Sequence, residues 1–248
     1  MQNNTTTRIS ELGDGSSSDG ISVYPEISGD GQFIAFSSSS TDLVAGDING
    51  QDDIFIYDVG LDALQLVSVA TGGAQSNGYS ERPAISTDGR FVAFMSYATN
   101  LDGASGSAEA FVRDRTAGTT TWVSKNSSGV SAGGISNSYR MSISGDGKYV
   151  VFDTDNPLVV SDDNYNSDVY RIDWQLGSAG IKLASVDEDG NTIAGFSQHG
   201  SISANGNFVA FDSDSDDVVT GDSNSKTDVF VRNMTTDEIK RASLTPED

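Results

Sequence analysis

Ile27-Ser28-Gly29-Asp30-Gly31-Gln32-Phe33-Ile34-Ala35-Phe36 returns three times along the chain: as Ile85-Ser86-Thr87-Asp88-Gly89-Arg90-Phe91-Val92-Ala93-Phe94, as 143–152 and as 202–211. The closing Phe falls at 36, 94, 152 and 211, so the steps are 58, 58 and 59 residues. Asp-Gly, or Asn205-Gly206 in the last copy, sits between two β-rich runs. Glycine takes positive φ without a Cβ clash, so the pair turns a hairpin. Phe33 and Ala35 then face one side of the second strand, and Ile34 and Phe36 the other. Both sides are apolar, which predicts a strand covered on both. The third position of that strand is small in every copy (Ala35, Ala93, Val151, Ala210), which suits sheets stacked closely on copies of themselves.

Beyond the hairpin each unit continues alike. A Ser/Thr/Asp run (37–42) and a polar loop lead to an alternating third strand, Ile54-Phe55-Ile56-Tyr57-Asp58. A turn and a fourth strand, Leu64-Gln65-Leu66-Val67-Ser68, complete the unit before a Gly/Ser-rich connection. Four short strands per repeat with no helical period predict one four-stranded antiparallel blade per repeat. One blade cannot bury its faces alone, and radial stacking does so. The expected fold is therefore all-β: a β-propeller with four full blades near 22–70, 79–126, 138–187 and 197–245. A β-sandwich is the other all-β option, but it has no reason to keep one hairpin at fixed spacing.

Thr5-Thr6-Thr7-Arg8-Ile9-Ser10 matches Thr119-Thr120-Thr121-Trp122-Val123-Ser124, and the terminal Ser recurs at 10, 68, 124, 185 and 243. Residues 5–10 thus read as the last strand of a preceding blade. The last blade already owns a fourth strand, so the orphan favours a piece of a larger propeller over a closed four-bladed ring. Two chains completing one ring is a third arrangement. The uncovered blade faces of such a piece would promote self-association.

The 248 residues carry a formal net charge of −22. That argues against nucleic acid and anionic membrane surfaces, which need Lys and Arg. It suits a basic partner or bound cations. There is no cysteine, which excludes disulfides, thiolate chemistry and Cys-type zinc sites. No apolar run approaches ~20 residues, so no membrane insertion is expected. The polar N-terminal stretch does not read as a signal peptide.

In a propeller, the loops between strands two and three share one rim with the connections between blades. The Asp-Gly turns lie on the other rim, and strand one lines the central channel. The first set of loops carries oxygen side chains at alternate positions: Asp47, Asn49, Gln51 and Asp53 in blade 1, and Asp162, Asn164, Asn166 and Asp168 in blade 3, with Asp163 beside them. Blade 4 has Asp222, Asn224 and Asp228, with Lys226 in the third slot as a possible internal cation. Calcium takes six to eight hard oxygen ligands, so these loops are candidate calcium sites, blade 3 foremost. The pattern lacks the distal Glu of an EF-hand. Plain Asx-turn chemistry would use the same residues without metal. Blade 2 has lost the ligands (Asp102-Gly103-Ala104-Ser105) and serves as an internal control.

Strand one opens on Tyr24, Arg82, Arg140 and His199 at equivalent places, which would ring the channel mouth. Two arginines could hold a carboxylate, a sulfate or an acidic peptide end, or simply pair with Glu26, Glu81 or rim Asp residues. His199 is the only histidine, which excludes multi-His metal centres, and no catalytic set stands out around it. Trp122 and Trp174 are expected to pack at outer strands.

The run Ser-x-Asp-Gly-x-(aromatic)-(Ile/Val)-Ala-Phe, then Gly46-Asp47-x-Asn49, then Asp228-Val229-Phe230-Val231-Arg232-Asn233 (Glu109-Ala110-Phe111-Val112-Arg113-Asp114 in blade 2) resembles the TolB-like, WD-related propeller repeat of bacteria. The likeness covers essentially the whole chain. One departure is that Gly29, Thr87, Gly145 and Ala204 stand where that repeat often has Pro before Asp-Gly. The resemblance implies a periplasmic or secreted protein acting as an interaction or scaffold module, with a protein or carbohydrate partner. The other implied role is an accessory propeller of a polymer-degrading hydrolase or lyase. No peptidase residues are present to carry over.

Overall fold

The computed structural model describes residues 6–126, 128–131, 134–135 and 140–243. They form four antiparallel sheets of four strands each, every sheet built from consecutive strands in the order one-two-three-four. Blade 1 comprises β1 (Ser22–Ile27), β2 (Phe33–Ser38), β3 (Asp53–Asp58) and β4 (Ala63–Leu66). Blade 2 comprises β5 (Ser80–Ile85), β6 (Phe91–Ser96), β7 (Glu109–Asp114) and β8 (Thr119–Trp122). Blade 3 comprises β9 (Ser142–Ile143), β10 (Tyr149–Thr154), β11 (Asp168–Asp173) and β12 (Ile181–Leu183). Blade 4 comprises β13 (Ser197–Ile202), β14 (Phe208–Ser213), β15 (Asp228–Asn233) and β16 (Ile239–Arg241).

The blades stack by one rule. The Ala35 side of blade 1 packs on Val92, Phe94 and Phe111 of blade 2. Ala93 and Met95 pack on Val150, Phe152 and Tyr170 of blade 3, and Val151 and Val169 on Val209, Phe211 and Phe230 of blade 4. The small third residue admits the next blade's stacked aromatic pair, as in Phe94–Phe111 with ring centroids 5.8 Å apart. Phe36, Phe94, Phe152 and Phe211 are all buried in equivalent places.

The Asp-Gly turns are joined to one another. Asp30 N–H donates to Thr87 O (3.0 Å), Thr87 N–H to Gly145 O (2.9 Å) and Gly145 N–H to Ala204 O (2.8 Å), so a backbone chain links all four turns. Within each turn the Ser hydroxyl donates to the Asp or Asn side chain and accepts the N–H of the following aromatic; in blade 1 these bonds are 2.6 and 2.9 Å. Gly89 (φ +68°), Gly147 (φ +72°) and Gly206 (φ +72°) each lie flat against the ring of Phe33, Phe91 or Tyr149 in the preceding blade, leaving no room for a Cβ. The glycine thus serves both the turn and the stacking.

Among the described residues the stack is open beyond blade 4. Val229 is 45 % exposed, whereas its counterparts Ile54, Ala110 and Val169 are fully buried; Phe208 is 43 % exposed where Phe91 is 6 %. These residues form the face on which a further blade of this kind would sit. At the other end Ile9 packs against the Phe36–Phe55 cluster. The sequence predicts a strand over 5–10; residue 5 lies outside the described residues, and 6–10 join no ladder. A strand needs a neighbour to bond, and among the described residues no third strand of a preceding blade lies beside them. Their connection to blade 1 is nevertheless the standard one: the bridge Glu11–Ser17 repeats as Val69–Gln75, Lys125–Ser131 and Val186–Thr192.

Two local features depart from expectation. A 3₁₀ segment, Trp174–Gly180, interrupted at Gly177 (φ +58°), joins β11 to β12. Trp174 anchors it by donating Nε1–H to Gly147 O (2.7 Å) and by its edge contact with Phe91. Trp122 lies on β8, the outer strand, as expected, but its ring is buried. Strand one of blade 3 is only two residues long, so Arg140 precedes it rather than opening it.

Candidate functional site

Strand one carries a β-bulge in blades 1, 2 and 4, between Val23 and Glu26, Glu81 and Ala84, and Gln198 and Ser201. At the bulges Tyr24 (φ 54°), Arg82 (φ 55°) and His199 (φ 55°) adopt left-handed backbone. That conformation is unfavourable for non-glycine residues and persists where surrounding structure enforces it. The bulges turn these side chains into the axis. Tyr24, Glu26, Arg82, Pro83, Arg140, Met141 and His199 line one cavity of about 280 Å³. Every blade therefore contributes its expected channel-mouth residue to a single space.

The cations there have partners. Arg82 Nε lies 3.3 Å from Glu81 Oε1, with its guanidinium 5.4 Å above the Tyr24 ring. Arg140 Nη2 is 3.9 Å from Glu26 Oε1, a contact between blades 3 and 1, and His199 Nδ1 is 2.8 Å from Asp212 Oδ1. Behind His199 lies Asp153 on β10, fully buried, with neither carboxylate oxygen in a hydrogen bond. Burial pushes its pKa up to about 7 against the opposing pull of His199.

The opposite rim is built on a repeated carboxylate. Each third strand opens on an acid: Asp53, Glu109, Asp168 and Asp228. The serine recurring at 68, 124, 185 and 243 donates to it at 2.5, 2.5, 2.6 and 2.5 Å. The same Oγ accepts the N–H of Ile54, Ala110, Val169 or Val229 at 2.9–3.0 Å. This latch ties strand four to strand three in every blade. The recurrence of the serine was visible in the sequence; its acid partner was not assigned to it.

Six residues earlier, Asp47, Asp162 and Asp222 are buried beside that acid, while blade 2 has Gly103 there. The blades fill the space between the two acids differently. In blade 1 Gln75 Nε2 donates to Asp47 Oδ1 (2.7 Å) and Asp53 Oδ2 (2.9 Å), joined by Asn49 Nδ2 (2.7 Å to Asp53). In blade 4 Arg241 Nη1 donates to Asp222 Oδ1 (2.8 Å) and lies 3.8 Å from Asp228 Oδ2, to which Asn224 also donates (2.8 Å). Lys226, the expected internal cation, is exposed; Arg241 takes that part because it replaces a strand-four Leu directly over the acids. In blade 2 the single acid receives Trp122 Nε1 (3.0 Å) and the Ser131 hydroxyl. In blade 3 the Tyr170 hydroxyl donates to Asp162 Oδ2, while Asp162 Oδ1 and Asp168 Oδ2 accept no well-formed hydrogen bond. Burial raises the pKa of Asp162, and that of Asp168 to about 7, the latter also through the Asp162 charge.

The asparagines do mostly turn work. Asn49, Asn164 and Asn224 Oδ1 accept the N–H two residues on at 2.7–2.8 Å. Asn164 and Asn166 donate to Ile193 O and Ala194 O (2.8 and 2.7 Å), fixing the connection to blade 4. Gln51 is exposed. Among the described residues no three His, Cys, Asp or Glu side chains converge on one point.

Sequential four-stranded sheets stacked around an axis define a β-propeller. The fold is that of the TolB-like propellers. TolB from Acinetobacter baumannii superimposes with a TM-score of 0.54 and 18 % identity over 93 % of this chain and 45 % of that one. A TolB of Agrobacterium tumefaciens gives 0.54 and 17 % over 91 % and 63 %. The β-propeller domain of the Trilobed protease from Pyrococcus furiosus, described as having an open velcro topology, gives 0.54 and 12 % over 93 % and 59 %. The chain thus spans 45–63 % of the length of these structures. No family model matches it, and no curated protein does.

Proposed function

We propose that this chain is a non-enzymatic propeller module that recognises a protein segment at its channel mouth. The observation that carries this reading is the convergence of Tyr24, Arg82, Arg140 and His199, one from each blade, on one cavity, three of them in left-handed backbone. Strain retained at three equivalent positions supports a binding role. The walls combine apolar faces (Tyr24, Pro83, Met141) with Arg82, paired to the buried Glu81, and Arg140, paired to the part-exposed Glu26. An incoming peptide carboxylate can exchange for the part-exposed Glu26 on Arg140 without leaving a buried charge unpaired. As the resemblance implies, the module works outside the cytoplasm, which fractionation of the producing cell tests.

The binding test is capture of partners from the exported fraction by the wild-type chain and by Arg82→Ala/Arg140→Ala. A partner retained by the first and lost by the second is the expected result. A second reading, an accessory propeller of a polymer-acting hydrolase, draws support from the likeness to a protease's propeller domain. Turnover of a peptide or polysaccharide by this chain, abolished by His199→Ala, would replace the first reading with the second.

A further inference from the structure

The strand two–three loops of blades 1, 3 and 4 repeat one pair of buried acids, and only in blade 3 does no donor bridge them. Gln75 spans the pair in blade 1 and Arg241 in blade 4. At the corresponding places blade 3 has Thr192, whose hydroxyl donates to Ser161 O, and Leu183. Asp162 is 4 % exposed and Asp168 fully buried; Asn164 lies beside both, but its amide is directed to Ile193 O, and neither Asp162 Oδ1 nor Asp168 Oδ2 accepts a well-formed hydrogen bond. Buried carboxylate oxygens without partners are costly, and a cation between them removes the penalty of both. We propose that the space between Asp162 and Asp168 is a divalent-cation site, suited to calcium, which performs in blade 3 what an amide performs in blade 1 and a guanidinium in blade 4.

Both acids supply hard oxygens. Asp163 lies on the exposed side of the same loop, and waters entering from that side would complete a calcium shell. Magnesium, which keeps several waters and binds through one or two carboxylates, is the competing divalent ion, and titrating each metal separates the two. The competing occupant is a proton shared by the two acids.

The test uses the full chain, stripped with EDTA and then titrated with CaCl₂ or MgCl₂ at pH 8, read by thermal melting and by calorimetric titration. Calcium is expected to raise Tm with a Kd at or below the millimolar range. Asp168→Asn should weaken calcium binding at least tenfold. Leu183→Arg copies the blade 4 solution and should melt higher than wild type in EDTA and lose the calcium response. If the asparagine variant does not fold, Leu183→Arg decides alone. No calcium shift in wild type, or an undiminished shift in Leu183→Arg, overturns the proposal.

Discussion

Asp153 is a carboxylate that the fold tolerates at a cost, and replacing it with Asn tests that statement. It sits fully buried between blades 3 and 4 with both oxygens unpartnered; its counterparts are Ser37 in blade 1 and Met95 in blade 2. Among the described residues, the charge and backbone N–H of His199, on β13, favour the ionised form of Asp153, and the charge of Asp212, on β14, opposes it. An unfolded Asp titrates near ~3.9, and the folded one near about 7. Between those values the folded chain holds a proton that the unfolded chain has released. Stability therefore falls as pH rises through that window and levels off above it. Three units at about 1.4 kcal/mol each put the full penalty at about 4 kcal/mol above pH 7, and at nothing below pH 4. Asp153→Asn abolishes the pH-dependent part, leaving a constant offset of about 1–3 kcal/mol for an amide with unmet hydrogen bonds. The assay is urea unfolding of both proteins at pH 4, 5, 6, 7 and 8. The remaining carboxylates titrate in both, so the difference in stability reports Asp153 together with its coupling to His199 and Asp212. The variant should gain on wild type by several kcal/mol between pH 4 and pH 8. A difference that stays constant over that range refutes the buried, unpaired placement.

Three further outcomes are expected. Gly31 and Gly89 occupy the same turn position with φ near +70°, but only Gly89 abuts a ring, that of Phe33. Gly31→Ala should cost about 1 kcal/mol for the backbone alone and Gly89→Ala clearly more, both read by chemical denaturation. Val169→Asp should cost more than about 4 kcal/mol, while Val229→Asp should be nearly neutral in melting and should reduce any self-association seen by light scattering, because its face is open. Ser124→Ala removes a hydroxyl that binds Glu109 and leaves the Ala110 N–H without its acceptor, for a loss of about 2–4 kcal/mol in denaturant titration.

The architecture was legible because one motif carries both the turn and the stacking. Asp-Gly followed by an aromatic prescribes a hairpin, and the same glycine and aromatic then meet across the blade boundary, so spacing alone counts the blades. The proximity of Tyr24, Arg82, Arg140 and His199 was legible for the same reason: equivalent positions at strand one converge once the blades are arranged around an axis. The left-handed bulges that aim Tyr24, Arg82 and His199 were not, since no glycine marks them. Nor were the partners of the rim acids. Gln75 comes from the connection after blade 1, Trp122 and Arg241 from strand four and Tyr170 from strand three, so no fixed offset links donor to acid. The asparagines suggested ligands, and most of their polar atoms hold turns and neighbouring carbonyls instead. The segment Trp174–Gly180 has no counterpart in the other blades, and a repeat comparison is blind to what occurs once.

The stacking brings blades 1 and 3 together at the channel mouth, where Arg140 Nη2 lies 3.9 Å from Glu26 Oε1. The chain has no cysteine, so Glu26→Cys/Arg140→Cys carries only two thiols, and a short bis-maleimide reads their proximity in dilute solution. An intramolecular cross-link that forms in buffer and is lost in denaturing urea is expected. Cross-links only between molecules, or none until the chain is unfolded, would contradict the arrangement and the channel-mouth site with it.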